Sequence, residues 1–238
     1  MELIGKNKST MLPFRFGIIG NIAAGKTHTA KQLGAIAKEE GVSFVHLEVD
    51  QIRREILVNS LQQNHLELRK KLTEELELPI KNSPYWIPGE LLGEAIFSEP
   101  KKMAAYKKLI NPEILKELRH LAKGHDIVAI EWAMLMEDGW VSFVQNNLLL
   151  VHCSEEKQTE RLKETDLPLE QLKKRISFQP SLQERRKTVE GNQKKGKKVK
   201  LIEWETTSDP DFKAYKDLFL RIKNKLLNVP LNFPNTSN

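Results

Sequence analysis

The sequence has very little cysteine and no long apolar run. Cys153 is the single cysteine among 238 residues, so an internal disulfide cannot form, and a reducing, cytoplasmic setting is the simplest expectation. No run of about eighteen apolar residues is present, so no membrane span is indicated. The opening residues MELIGKNKSTM lack the apolar region of a secretory signal. These absences favour a cytoplasmic protein with no membrane partner.

Acidic residues are scarce in one part of the chain. The net charge is +6, and residues 184–200 hold eight Lys or Arg against two Glu, which equals the whole excess. Such a segment favours a polyanionic partner, although a solvated loop has the same composition. The segment contains no aromatic side chains, which stack on bases in proteins that bind single-stranded nucleic acid. A nucleic-acid partner is therefore disfavoured, and sequence does not determine the oligomeric state.

Apolar strands alternate with helical segments along the chain. Strands are predicted at 14–20, 42–49, within 125–135, at 146–154 and at 197–205. Helices are predicted at 25–40, 51–79, 90–97, 100–123, 155–166, 168–179, 181–190 and 210–227, with Pro112 as a candidate start of a new helix. This alternation predicts an α/β fold, in which a five-stranded parallel sheet is flanked by helices.

The segment GNIAAGKT contains a phosphate-binding loop. Gly20-x-x-x-x-Gly25-Lys26-Thr27 matches the P-loop pattern, and it stands between an apolar strand and a helix as that motif requires. Loop amides and the helix N-terminus would hold phosphates, Lys26 would reach the β- and γ-phosphates, and Thr27 would coordinate Mg²⁺. The motif predicts a P-loop NTPase fold that uses ATP and Mg²⁺. The predicted nucleotide-binding residues are Gly20, Asn21, Ile22, Ala23, Ala24, Gly25, Lys26, Thr27 and His28.

Two carboxylates follow predicted strands. Asp50 ends the second strand, and because ligands lie off the carboxyl ends of parallel strands, it is a candidate to orient or deprotonate an acceptor hydroxyl. The alternative is an N-cap for the next helix. Glu131 ends the third strand, where a carboxylate holds magnesium through water or accepts a hydrogen bond from the P-loop threonine. Thr27 and Glu131 are therefore the predicted metal-site residues.

Four arginines lie between the fourth and fifth predicted strands: Arg161, Arg175, Arg185 and Arg186. P-loop kinases close a lid from this region, and its arginines stabilise the transferred phosphoryl group. Some of the four are expected to be surface residues or ion-pair partners. Arg161 is the first candidate for catalysis, with Lys26 and Asp50. The histidines show no metal-ligand spacing with Cys153 and are expected to be structural or exposed.

Several further segments resemble the dephospho-coenzyme A kinase family, over residues 16 to about 220. VSFVHLEVDQIRR resembles the family strand that ends in Asp-x-Asp and continues into Ile-x-Arg. GELLGEAIFSEP, LINPEI and EWAMLME resemble three further family segments. The most specific likeness is that of residues 148–185, from LLLVHCSEEKQTERL to FQPSLQER, to the family's lid pattern.

The resemblance implies an ATP-dependent kinase that phosphorylates the ribose 3′-hydroxyl of dephospho-coenzyme A. It places Asp50 on the catalytic aspartate and Glu48, Arg54 and Glu137 among the substrate-contacting residues. It also implies one P-loop kinase domain over 13–228, between a leader at 1–12 and a tail at 229–238. Within that domain, the resemblance assigns an acceptor-side helical insert to about 55–123 and a helical lid to about 155–198.

The chain departs from the family pattern at four acceptor-side positions, and its partner is therefore either dephospho-coenzyme A or another nucleotide-like small molecule. Gly89 and Glu90 stand in the place of a family Asp-Arg pair, Asn111 replaces a histidine, and Thr165 replaces an arginine. A nucleoside or nucleotide kinase with another acceptor is the main alternative. A nucleotide-dependent switch that binds nucleic acid through residues 185–200 is the third hypothesis.

Overall fold

The computed structural model describes residues 13–164, 179–196 and 198–227, which form two compact units. The α/β unit comprises the residues up to His46 and those from Gly124 onward, and the helical unit comprises Leu47–Lys123. The predicted leader, the predicted tail, Thr165 and Arg175 lie outside the described residues. Within the described residues, no helix combines the length and apolar character that crossing a bilayer requires.

Five strands form one sheet in the order β2-β3-β1-β4-β5. The strands are β1 Phe14–Ile19, β2 Phe44–Glu48, β3 Ile127–Glu131, β4 Asn147–His152 and β5 Lys200–Glu205. β1 runs parallel to β3 and to β4, and β4 runs parallel to β5. The predicted α/β fold of the P-loop class is confirmed, and its strand with the phosphate-binding loop stands at the centre of the sheet.

The burial of the strands explains why they form the centre of the fold. Residues Phe16 to Ile19 of β1 are buried, as are the first five residues of β4. Strands covered by helices on both faces have continuous apolar sequences of this kind. The first helix, α1 Lys26–Glu39, begins directly after the loop and places Ala30, Leu33 and Ala37 in the core. The loop is therefore held between a buried strand and a buried helix face.

The helical unit contains four helices: α2 Val49–Arg54, α3 Gln63–Glu75, α4 Gly89–Ser98 and α5 Pro100–Leu121. A π-helical turn at Glu55–Asn59 follows α2, so the single helix predicted over 51–79 is wrong. This interruption between α2 and α3 is stabilised by Arg69, which is fully buried and donates hydrogen bonds to the carbonyl oxygens of Ile56 and Ser60. Pro112 lies inside α5 and does not begin a new helix, which corrects the boundary predicted there.

The position predicted for Asp50 also needs correction. β2 ends at Glu48, and Asp50 lies in the first turn of α2. The N-cap position belongs to Glu48, whose side chain makes no capping hydrogen bond, so the alternative of an Asp50 cap is wrong as well. The physical reason is that Glu48 is the last extended residue and the backbone becomes helical at Val49, before the carboxylate.

Among the described residues, the α/β unit has three further helices: α6 Glu155–Lys163, α7 Leu182–Lys194 and α8 Phe212–Ile222, the last followed by a π-helical turn at Lys223–Leu227. Each begins at a side chain that accepts a hydrogen bond from a backbone amide of its first turn. Ser154 caps α6, Ser181 caps α7 in a capping box with Glu184, and Asp211 caps α8. These caps satisfy amides that a helix leaves without partners, and they set where the helices after β4 and β5 begin.

Candidate active site

The backbone of the loop after β1 requires glycine at its first position. Gly20 has φ +146°, and a Cβ atom placed there would lie 2.1 Å from the carbonyl oxygen of Val151. Ala23, in contrast, adopts φ +59° although it carries a side chain. Left-handed backbone at a residue other than glycine costs roughly 1–2 kcal/mol and persists only where neighbouring contacts hold it.

Two glutamines form hydrogen bonds with the backbone of Ile22. The Ile22 amide donates to Gln179 Oε1 over 2.7 Å, and Gln158 Nε2 donates to the Ile22 carbonyl oxygen over 2.8 Å. Both backbone groups of this residue therefore bond to side chains that are distant in sequence. The loop conformation depends on residues of α6 and of the segment before α7 as well as on its glycines.

The N-terminus of α1 is arranged for an anion. Gly25 occupies the N-cap position with φ +88°, no side chain caps the helix, and no acidic residue lies in its first turn. A helix N-terminus of this kind attracts phosphate through its amides and its dipole. Lys26 Nζ donates to the carbonyl oxygen of Asn21 over 2.9 Å, which keeps the ammonium group beside the loop. His28 is exposed, with its Nε2 3.4 Å from Gln32 Nε2.

Thr27 and Glu131 meet at the carboxyl ends of the central strands. Thr27 Oγ1 lies 3.0 Å from each carboxylate oxygen of Glu131, so the hydroxyl donates to that carboxylate. His46 Nε2 lies 2.9 Å from Glu131 Oε2. The side chains of His46 and Glu131 are only 13% and 12% exposed, so the contact is largely shielded from solvent.

The donor set at this point fits a magnesium ion. A hydroxyl has one donor and two lone pairs, and because the Thr27 hydroxyl donates its hydrogen bond to Glu131, the lone pairs of Oγ1 stay available to a cation. Hydroxyl, carboxylate and phosphate oxygens are the ligands that Mg²⁺ prefers. The structure brings the two predicted metal-site residues together, and both offer oxygen ligands of the kind that Mg²⁺ binds.

Arg161 contacts the loop and the segment that follows β5. Its Nη1 lies 3.3 Å from the carbonyl oxygen of Ala23 and 3.0 Å from Thr206 Oγ1. Its Nη2 lies 2.8 Å from both the Thr206 carbonyl oxygen and Asp209 Oδ1. The guanidinium group thus holds backbone carbonyls of both segments, and its position beside the left-handed Ala23 links it to the loop conformation.

Arg185 is the most deeply buried of the lid arginines that the structure describes. It is 1% exposed, donates from Nη1 to the carbonyl oxygen of Ala133 over 2.8 Å, and places Nε 3.3 Å from Asn21 Oδ1. Burial lowers the pKa of this guanidinium, and the carboxylate of Glu137, 3.9 Å from Nη1, offsets part of that effect. Nη2 has no hydrogen-bond partner among the described residues. The side chain lines a small cavity with Gly20, Cys153 and Gln158.

The described residues of the basic segment predicted at 185–200 do not share one environment. Arg185 is buried beside the loop, whereas the adjacent Arg186 forms a bidentate ion pair with Glu203 of β5. Hydrogen bonds from Arg186 hold the pKa of Glu203 below its usual value, although partial burial opposes them. Lys200 Nζ donates to the carbonyl oxygen of Leu226. Basic residues that are close together in the sequence therefore differ in burial and in hydrogen-bond partners.

The remaining predicted site residues belong to the helical unit. Asp50 is 64% exposed and pairs with Arg53, Glu48 is partly buried at the end of β2, and Arg54 is exposed. Of the positions that depart from the family pattern, Gly89 and Glu90 are exposed at the start of α4. Asn111 is partly buried in α5.

Sequence reasoning missed three residues of the site: His46, Gln158 and Gln179. The two glutamines lie in the lid pattern of the family, which was a usable signal. His46 stands two residues before Glu48 in β2, and a strand pattern alone does not reveal a partner in another strand.

The sheet, the phosphate-binding loop and the Thr27–Glu131 pair define a P-loop kinase. The family model for dephospho-CoA kinase matches residues 14–192. The chain therefore belongs to the dephospho-CoA kinase family, as the sequence predicted.

Individual relatives agree with this assignment. A dephospho-CoA kinase of Dehalococcoides mccartyi is 31% identical over 179 residues, which cover 72% of this chain and 83% of the relative. A dephospho-CoA kinase of Carboxydothermus hydrogenoformans is 26% identical over 151 residues, which cover 61% of this chain and 68% of the relative. The crystal structure of TT1252 from Thermus thermophilus superposes with a TM-score of 0.66 at 23% identity, over 89% of this chain and 99% of that one. This last likeness supports the fold.

Proposed function

We propose that this protein transfers the γ-phosphoryl group of ATP to the ribose 3′-hydroxyl of dephospho-coenzyme A. The observation that carries the proposal is the family match over residues 14–192, which includes the loop, Glu131 and both glutamines that bond to Ile22. Phosphoryl transfer needs a positioned donor and stabilised charge rather than covalent chemistry from the protein. The loop and its surroundings are suited to both tasks.

The residues of the loop bind and orient the phosphates of ATP in this proposal. The amides from Gly20 to His28 and the N-terminus of α1 hold the phosphate oxygens. Lys26 moves from the Asn21 carbonyl oxygen to the β- and γ-phosphates. The neighbouring cationic side chain of Arg161 is predicted to stabilise the transfer, and its bonds to Ala23 and Thr206 support a role through the loop conformation.

Magnesium would be held by the Thr27 hydroxyl and, directly or through water, by Glu131. When bound, the ion neutralises charge that develops on the transferred phosphoryl group. Glu131 would keep the hydroxyl hydrogen of Thr27 away from such an ion, because its carboxylate accepts a hydrogen bond from Thr27 Oγ1 with the two oxygens 3.0 Å apart. His46 supports the carboxylate in this orientation.

The acceptor side of the proposal depends on the family resemblance. Asp50 is proposed to accept or orient the proton of the 3′-hydroxyl, and its exposed carboxylate is consistent with such a role. Glu48, Arg54 and Glu137 are proposed to contact the acceptor. Glu137 lies 3.9 Å from Arg185 in the structure, so an acceptor contact there would involve a carboxylate beside a buried cation.

The test is turnover by the purified chain with ATP and dephospho-coenzyme A, followed as ADP release and by the mass of coenzyme A. Lys26→Ala should abolish turnover, whereas Lys38→Ala, at the other end of α1, should leave it unchanged. Product analysis by phosphorus NMR locates the new phosphate. If the folded wild-type protein releases no ADP with this acceptor, the assignment is wrong.

A panel of nucleosides and nucleotides in the same assay tests the alternative kinase. Asn111, Gly89 and Glu90 motivate it, because family side chains are absent at these positions. Faster turnover with a panel member than with dephospho-coenzyme A would establish that alternative. A gel shift at low salt tests the third hypothesis, since binding of nucleic acid through basic residues weakens steeply as salt rises.

A further inference from the structure

Three side chains of the helical unit bring potential metal ligands together. His65 lies on α3, and Glu113 and Glu117 lie one turn apart on the same face of α5. His65 Nε2 is 3.4 Å from Glu113 Oε1 and 3.7 Å from Glu117 Oε1. One ligand atom from each residue lies within 4.8 Å of the other two. The predicted function uses none of these residues.

The imidazole of His65 is buried and held in one orientation. The residue is 1% exposed, and its Nδ1 lies 2.7 Å from Ser60 Oγ. Ser60 Oγ accepts a hydrogen bond from the Gln62 amide, and its second lone pair can accept a hydrogen bond from Nδ1–H of His65, which leaves Nε2 unprotonated. A hydrogen bond of this kind from one ring nitrogen is what fixes the orientation of a metal-binding histidine.

The other ring nitrogen faces the two carboxylates. His65 Nε2 is fully shielded from solvent and has no hydrogen-bond partner within the part of the chain that the structure describes. A buried polar atom left in this state costs roughly 1–3 kcal/mol. A cation between Nε2 and the two carboxylates would remove that cost and would also separate the negative charges of Glu113 and Glu117.

The two distances from His65 Nε2 to the carboxylate oxygens fit a small tetrahedral cation. Zinc binds imidazole nitrogen and carboxylate oxygen at about 2.0–2.2 Å, which places neighbouring ligand atoms about 3.3–3.6 Å apart in a tetrahedron. The separations of 3.4 and 3.7 Å at His65 Nε2 are close to this range. One nitrogen and two carboxylate ligands suit zinc, whereas Mg²⁺ prefers oxygen ligands alone.

Two neighbouring groups donate to the same carboxylate. Asn64 Nδ2 lies 2.6 Å and Lys116 Nζ 3.0 Å from Glu113 Oε1. The Asn64 bond can persist as support for a ligating carboxylate. The Lys116 side chain is 61% exposed, so its ammonium group can turn into solvent when a cation binds.

We propose that His65, Glu113 and Glu117 form a binding site for a divalent transition-metal ion of the zinc type, which links α3 to α5. Water completes the tetrahedron, since three protein ligands leave one position open. The site is separate in residues and in chemistry from the Thr27–Glu131 pair. Its role is to stabilise the helical unit, because binding to the folded state alone raises stability by mass action.

The test is a calorimetric titration of the full chain with Zn²⁺, after treatment with a chelator and in excess Mg²⁺ to saturate oxygen sites. One zinc ion should bind each chain and raise the melting temperature. Glu117→Gln and Glu113→Gln should each weaken binding by at least about tenfold, and Ser60→Ala by about tenfold through loss of ring orientation. Glu67→Gln, an exposed residue of α3, is the matched control and should bind as the wild type does.

The glutamine variants keep the size of the replaced side chains, and circular dichroism verifies their fold. Substituting Co²⁺ adds a spectroscopic readout, since a four-coordinate site gives strong visible absorption that Glu117→Gln should remove. The proposal is overturned if folded wild-type protein binds no zinc, or if Glu113→Gln and Glu117→Gln both bind it unchanged. Kinase turnover is assayed separately, so failure here leaves the proposed function unaffected.

Discussion

His46 Nε2 lies 2.9 Å from Glu131 Oε2, on the carboxylate that also accepts a hydrogen bond from the Thr27 hydroxyl. The three side chains come from β2, from the end of β3 and from the first turn of α1. They form one connected hydrogen-bonded group beside the phosphate-binding loop. The contact between His46 and Glu131 therefore ties a strand of the sheet to the proposed magnesium ligands.

Replacing Glu131 by glutamine should reduce kcat by about 100-fold or more, because the variant loses a charge that stabilises the proposed metal site. Steady-state ADP release over a range of Mg²⁺ concentrations measures the effect. Glu205→Gln is the matched control, since Glu205 also ends a strand but pairs with Thr207. Equal losses in the two variants would contradict a specific role for Glu131.

Replacing His46 by alanine should lower kcat by about 10- to 100-fold, because residues that orient a metal ligand have effects of that size. His46→Asn keeps a polar group that can donate to the carboxylate and should recover part of the loss. The Mg²⁺ concentration needed for half-maximal rate should rise in the alanine variant. Unchanged magnesium dependence in His46→Ala would show that the histidine only packs in the sheet.

Arg185 and Arg186 offer a comparison between adjacent arginines. Arg185→Ala should lower kcat/KM for ATP by about 100-fold, because it removes a buried cation beside Asn21 of the loop. Arg186→Ala removes a partly exposed residue paired with Glu203 and should change kcat/KM less than about threefold. Arg185→Lys should not restore the rate, since an ammonium group cannot reproduce the planar guanidinium contacts. Binding of a fluorescent ATP analogue to the folded fraction separates affinity from stability.

The lowered pKa of Glu203 predicts an acid-dependent contribution to stability. A carboxyl with a lower pKa in the folded state stabilises the fold above its unfolded pKa of about 4.3, and that contribution disappears as the pH falls through the folded pKa. Glu203→Gln should therefore lower the free energy of unfolding at neutral pH by at most about 1 kcal/mol, because Arg186 is partly exposed. The difference should vanish in strong acid. Urea unfolding over a pH series measures it, and Glu190→Gln on the exposed face of α7 is the control.

Local sequence patterns were sufficient for the central elements. β1, the loop, α1 and the terminal Glu131 of β3 follow from an apolar run, a glycine motif and an acid at the end of a strand. The confirmed fold class follows from the alternation of strands and helices. Each of these features is determined by residues close to one another in the chain.

Features that depend on distant residues were not predictable in the same way. The π-helical turn after α2 is stabilised by Arg69 from α3, and the separate environments of Arg185 and Arg186 depend on Ala133 and Glu203. Asp50 was assigned to the wrong element because the HLEVD segment looks extended until Val49 begins a helix. His65 has no sequence spacing that indicates Glu113 and Glu117 as neighbours, since α3 and α5 create the cluster.

The two hydrogen bonds to Ile22 have a consequence for protein engineering. Because Gln158 and Gln179 hold the third residue of the loop, the eight-residue motif from Gly20 to Thr27 does not contain all the information for its own shape. A graft of that motif into another scaffold would leave Ile22 without its two supports. A graft that keeps the loop conformation must therefore include Gln158 and Gln179 and must preserve their hydrogen-bond distances to the Ile22 backbone.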